Sequence, residues 1–108
     1  MVNLSDCERK ILGCIYEFCR KEEEAPRLKD IIRLIGEKYG ELWKMQTVCT
    51  FLSRMEKKGV LSIKKEGRYS YYYPTIAYET YVHQELMELC NIYFEQNEKK
   101  LKQFVRQM

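Results

Sequence analysis

"KMQTVCTFLSRMEKKGVLSIKKEGRYSYYYP" (residues 44–74) changes its periodicity at Gly59. Before the glycine, Val48, Phe51, Leu52 and Met55 recur at three- and four-residue steps, the spacing of one helix face. After it, Val60-Leu61-Ser62-Ile63 and Tyr69-Ser70-Tyr71-Tyr72-Tyr73 have the β-branched and aromatic composition of strands. Between them, Lys64-Lys65-Glu66-Gly67-Arg68 reads as a hairpin turn with a glycine available for positive φ, and Pro74 ends the second strand. One helix followed by one hairpin is the local expectation.

Charge is concentrated in the same place. Residues 44–68 carry seven Lys/Arg against Glu56 and Glu66, a net of +5, while residues 1–43 and 69–108 each come to −1. The chain's formal +3 is therefore one basic segment between two nearly neutral flanks. A single basic patch on a small domain is the electrostatic footprint expected for nucleic acid.

Upstream, Ser5-Asp6-Cys7-Glu8 has the form of a capping box, and Ile11, Ile15 and Phe18 set the stripe of a helix ending near Lys21. A second helix is predicted from about Leu28 to Tyr39, with Ile31, Ile32 and Ile35 on one face and Gly40 closing it. The third runs from about Lys44 to Lys58 after a turn at Glu41-Leu42-Trp43. Downstream of Thr75 the pattern is helical again, either one long helix or two with a break near 95–98, where Gln96 and Asn97 interrupt the stripe.

Three helices, a hairpin and a C-terminal helical segment make a mainly α fold with a small β-hairpin wing. The arrangement is that of a winged helix-turn-helix, in which the third helix enters the DNA major groove. Residues 1–74 form the expected DNA-binding domain, and residues 75–108 a C-terminal dimerisation helix or helices. Val82, Leu86, Leu89, Tyr93, Leu101 and Phe104 are too apolar a stripe to project alone into water, so a second subunit is the expected cover, the alternative being a helix folded back on its own domain.

Other classes find little support. The chain shows no Gly-rich phosphate loop, no Cys/His cluster of metal-ligand spacing and no triad around its single His83, so neither an enzyme nor a cofactor or metal site is expected. The five cysteines are odd in number and scattered, and are expected to be small buried or half-buried hydrophobes rather than disulfide partners. Met1-Val2-Asn3-Leu4-Ser5 has no basic head before an apolar stretch, and no apolar run approaches the roughly 20 residues of a membrane span. A cytoplasmic protein is the default expectation, with no membrane partner.

"LSDCERKIL" (4–12), "LWKMQTVCTFLSRMEKKGVL" (42–61) and "KKEGRYSYYYP" (64–74) resemble the penicillinase and methicillin-resistance repressor family (BlaI/MecI/CopY), winged-helix transcriptional repressors of bacteria. The resemblance covers roughly residues 4–90 and is most specific from Trp43 to Gly59. It implies a homodimer that represses transcription from a palindromic operator on double-stranded DNA, held together by its C-terminal helices. Members near resistance genes are inactivated by cleavage at an Asn-Phe bond, and the copper-responsive branch carries Cys-x-Cys pairs. This chain has neither: Asn91 precedes Ile92 and Asn97 precedes Glu98.

Helical geometry and the resemblance select the same surface. With Val48, Phe51, Leu52 and Met55 turned inward, Lys44, Gln46, Thr47, Cys49, Thr50 and Arg54 are the candidate DNA contacts on the third helix. Glutamine can bond adenine through two atoms, and threonine offers a hydroxyl or a methyl group; Arg54 can clamp a phosphate or read a guanine. At the position of Cys49 the family commonly has a large basic residue, which implies an altered base preference here. Lys64, Lys65, Arg68 and Tyr69 are the wing candidates, and Arg27 and Lys29 are expected to hold phosphates at the start of the second helix. Strand alternation sends Tyr71 and Tyr73 to one face and Tyr72 to the other. The competing reading is a winged helix that serves as a protein-interaction module without specific DNA binding.

Overall fold

The computed structural model describes residues 3–108. Met1 and Val2, which belong to the stretch lacking a basic head, lie outside the described residues. The chain divides into two compact units, one running to Thr75 and the other from Ile76 to Met108.

In the first unit the helices are α1 (Asp6–Glu22), α2 (Leu28–Tyr39) and α3 (Met45–Lys57), followed by β1 (Leu61–Glu66) and β2 (Tyr69–Pro74). The capping box forms as the sequence predicts: Glu8 N–H donates to Ser5 Oγ at 3.2 Å, and Ser5 N–H donates to Glu8 Oε1 at 2.8 Å. Their apolar stripes meet in one core containing Ile11, Ile15, Ile31, Ile35, Val48, Leu52 and Met55, all fully buried. Phe51 is only half-buried and sets its ring against Trp43, 5.6 Å between centroids. Gly59, at φ 83°, turns the chain out of α3 in a conformation that a side chain would strain. Thr75 closes the base of the hairpin, donating its hydroxyl to the Gly59 carbonyl and its N–H to that of Val60.

The wing departs from expectation in its length. Lys64, Lys65 and Glu66 are not turn residues but continue β1, pairing with Tyr71, Ser70 and Tyr69. The loop is only Gly67-Arg68, with Gly67 at φ 62°, the positive φ that two-residue hairpin turns demand. The physical reason is cross-strand contact: the Lys64 ammonium lies 5.0 Å from the Tyr73 ring centroid, a cation–π contact with the facing strand. Alternation holds as expected, with Tyr72 buried and Tyr71 and Tyr73 half-buried on the opposite face. The outer side of β2 is met by Pro26 and Arg27, since Tyr72 N–H donates to the Pro26 carbonyl at 3.1 Å and Arg27 bridges to Tyr71.

The second unit resolves the C-terminal alternatives in favour of two helices, α4 (Tyr78–Tyr93) and α5 (Glu98–Arg106). Glu95 and Gln96 both take positive φ, 56° and 62°, which no helix continues through. Asn97 then caps α5, its Oδ1 accepting from the N–H groups of Lys99 and Lys100 at 2.9 and 3.3 Å. Phe94 and Phe104 pack across the bend with centroids 5.6 Å apart. No helix among the described residues is long and apolar enough to cross a membrane.

Candidate nucleic-acid interface

Helix α3 presents two faces with opposite chemistry. Val48, Leu52 and Met55 are buried, whereas Lys44, Gln46, Thr47, Cys49, Thr50 and Arg54 are all exposed, as the periodicity predicts. The Thr50 hydroxyl donates to the Gln46 carbonyl at 3.0 Å, which engages its proton within the helix and leaves the methyl group of this exposed residue uncommitted. That side chain therefore offers an apolar contact of the kind a thymine methyl accepts. The Gln46 amide makes no hydrogen bond among the described residues and is free to pair with a base edge.

Not every cation of the basic segment faces outward for a partner. The Lys58 ammonium donates to Glu8 Oε1 at 2.7 Å and to the Asn3 carbonyl at 3.1 Å, tying the end of α3 to the start of α1. This pairing spans 50 positions, so the charge count of residues 44–68 could not reveal it. Lys44, Arg54, Lys57, Lys64, Lys65 and Arg68 have no ion pair among the described residues.

Burial penalises the charged form of Glu8, yet the bonds from Lys58 and from Ser5 outweigh it and hold the carboxyl below its ordinary value of 4.5. The sign of the linkage follows. A depressed folded value adds stability that is complete above pH 4.5 and is lost as pH falls through the lower folded value. Acid titration of thermal stability should therefore show a loss beginning below pH 4.5, and Glu8→Gln should flatten it. An unchanged acid limb in the variant would show that other carboxylates govern it.

The wing and the start of α2 form a second cationic group beside α3. Lys29, Lys64, Lys65, Arg68 and Tyr69 are exposed and Arg27 is half-buried. Bridging of Arg27 to Tyr71 sets its guanidinium 4.4 Å from the Tyr69 ring centroid, and the Arg68 guanidinium lies 5.5 Å from the same ring. Tyr69 is thus a shared platform for two arginines, a role that its strand position alone did not suggest. Asp30 accepts the Arg27 N–H at 2.9 Å and so completes the α2 cap.

A match to the family model of the penicillinase repressors extends over residues 4–108. The chain belongs to the penicillinase repressor family. Among solved structures, the DNA-binding domain of the repressor BlaI is 27% identical, covering 71% of this chain and 85% of that one, with a TM-score of 0.56. The monomeric form of Bacillus licheniformis BlaI in complex with the blaP half-operator is likewise 27% identical, with the same coverage and a TM-score of 0.55. The complex of hsRosR-S1, at 19% identity and a TM-score of 0.64 over 96% of this chain and 90% of that one, shares the fold. No curated protein matches the chain. The fold and family of this penicillinase-repressor member are those of a transcriptional repressor.

The cysteines divide as their positions on the helices imply. Cys14 and Cys90 are buried and Cys7 and Cys19 half-buried, as expected of small hydrophobes, and Cys49 is exposed on the outward face of α3, as expected of a candidate contact. Burial pushes the Cys14 thiol up to about 11, with Lys38 and Glu17 acting in opposite directions, which keeps it protonated and inert.

Of the six residues expected to hold a dimer, Val82 and Leu101 are half-buried, while Leu86, Leu89, Tyr93 and Phe104 are exposed, Tyr93 by 74%. Ile92, Val105 and Met108 are exposed as well and enlarge the apolar surface. The sequence reading did not place Ile92, whose signal was its position three residues beyond Leu89. His83 is exposed on α4.

Proposed function

We propose that the chain is a transcriptional repressor that binds double-stranded DNA as a homodimer on a palindromic operator. Each subunit lays α3 in a major groove, with Gln46, Thr47, Cys49 and Thr50 at base edges and Arg54 on a guanine or a phosphate. Lys44 begins the same contact surface; Lys64, Lys65, Arg68 and Tyr69 of the wing, with Arg27 and Lys29 of α2, meet the flanking backbone. The observation that carries this reading is the coincidence of unpaired cations with the exposed face of α3 and with the wing. Membership of the penicillinase repressor family and 27% identity to the operator-bound BlaI support it. Residues 1–74 serve as the DNA-binding part and residues 75–108 as the dimerisation part. The exposed apolar side chains of α4 and α5 support the homodimer, since isologous pairing would cover them.

The test is a titration of labelled duplex from the upstream region of the chain's own gene, at several salt concentrations, beside random duplex. Specific binding should exceed random binding by about a thousandfold and fall steeply with salt. Gln46→Ala combined with Arg54→Ala should weaken specific binding by roughly 10- to 100-fold and leave the random-duplex affinity much less affected. Equal binding to both duplexes, untouched by the substitutions, would leave the interaction module as the better reading.

A further inference from the structure

A cleft of about 600 Å³ opens between α2, α3 and the wing. Its size lies in the range of small-molecule sites, roughly 300–1,000 Å³. The floor is apolar, formed by Leu28, Ile32, Met45 and Tyr72. Met45 is 63% exposed, a flexible thioether with nothing packed over most of its surface. The rim is cationic: Arg27, Lys29 and Arg68 line it without an ion pair among the described residues, Arg33 lines it paired with Glu37 at 3.2 Å, and no Asp or Glu is itself a lining residue. Leu28 and Lys29 are the first two residues of α2, so the positive end of that helix opens on the same space.

Phosphates of a duplex satisfy the rim and leave the floor uncovered. The deoxyribose between two phosphates presents only a small C–H surface, with no ring or branched hydrocarbon to fill the floor at Ile32 and Met45. The complementary occupant has a ring or branched hydrocarbon for the floor and a carboxylate for the two guanidiniums gathered around Tyr69. We propose that this cleft binds an apolar organic acid, and that its occupation and duplex binding exclude one another. The second half rests on the DNA-binding reading above, because Arg27, Lys29, Arg68 and Cys49 belong to both surfaces.

The exposed thiol of Cys49 lines the cleft and serves as its reporter. The full chain, without DNA, would be alkylated with N-ethylmaleimide in the presence of 2-naphthoate, and each cysteine followed by peptide mass spectrometry. Naphthoate should slow Cys49 alkylation by about tenfold, saturating below about 1 mM, while half-buried Cys7 reacts as before. The uncharged 2-naphthamide should need about tenfold more for the same protection. Ile32→Trp, which fills the floor, should abolish protection. Arg68→Gln, at an exposed turn position, should weaken naphthoate and leave naphthamide unaltered. Unprotected Cys49, equal protection by the amide, or protection unaltered in Arg68→Gln would each overturn the site. The same naphthoate concentrations should then release labelled duplex, and duplex retained while Cys49 is protected would overturn the exclusion. Duplex affinity measured without naphthoate reports separately on the DNA-binding reading.

Discussion

In the proposed homodimer, replacing Leu86 and Leu89 together by glutamate is expected to give a monomer whose apparent operator affinity is lower by about 100-fold or more. Both side chains are already exposed, by 46% and 41%, so the substitutions remove little from the packing of their own helix. Surface changes of that kind alter the stability of a chain by only about 0.5 kcal/mol. Their effect falls on association, where each buried leucine is worth roughly 1.5–3 kcal/mol and a two-fold axis counts every substitution twice. Loss of the second half-site then removes the gain of linked binding, which is of the order of 10²–10⁴. Sedimentation of the variant beside duplex titration is the measurement. A variant that still sediments as a dimer would show that these leucines are not the seam.

The second large effect concerns the buried face of α3. Leu52 is 1% exposed and lies in the core behind the face that carries Gln46 and Thr50. Leu52→Ala should destabilise the first unit by about 2–5 kcal/mol, through lost transfer energy and a cavity that α3 cannot collapse to fill. For a unit of this size, each kcal/mol lowers the melting temperature by roughly 4–8 °C, so a fall of about 10 °C or more is expected. Thermal unfolding followed by circular dichroism reads it directly, and a shift below about 4 °C would mean that α3 is not anchored through this residue. Leu42→Ala, at a position 93% exposed, is the matched control and should leave the melting temperature unchanged.

How much of this was legible in the sequence depends on the range over which each feature is encoded. The helices were legible because their signals are local: Ser5 and Glu8 cap each other, and Val48, Leu52 and Met55 mark a face within a few turns. The wing was legible in kind but not in length. Lys64 and Lys65 look like turn residues by charge, and only their partners Tyr71 and Ser70 make them strand residues. Lys58 was counted with the outward cations because its carboxylate is contributed by α1. The cleft was invisible for the same reason, since α2, α3 and β2 each supply part of it and no window of sequence contains them together. The two left-handed residues Glu95 and Gln96 settled a choice that the hydrophobic stripe had left open.

The lysines of β1 have a consequence for solubility. The sheet has two strands, and the outer side of β2 is met by Pro26 and Arg27, whereas β1 has no further strand partner among the described residues. An open strand edge is a template on which another chain can pair, and charged side chains are the ordinary guard against it. Lys64 and Lys65 therefore keep the wing of one molecule from zipping onto the wing of the next. Replacing them with valine or threonine to weaken the proposed DNA contact would remove that guard and seed aggregation in the same step. Glutamate at both positions reverses the attraction to phosphate while keeping the edge charged, so it separates the two roles cleanly.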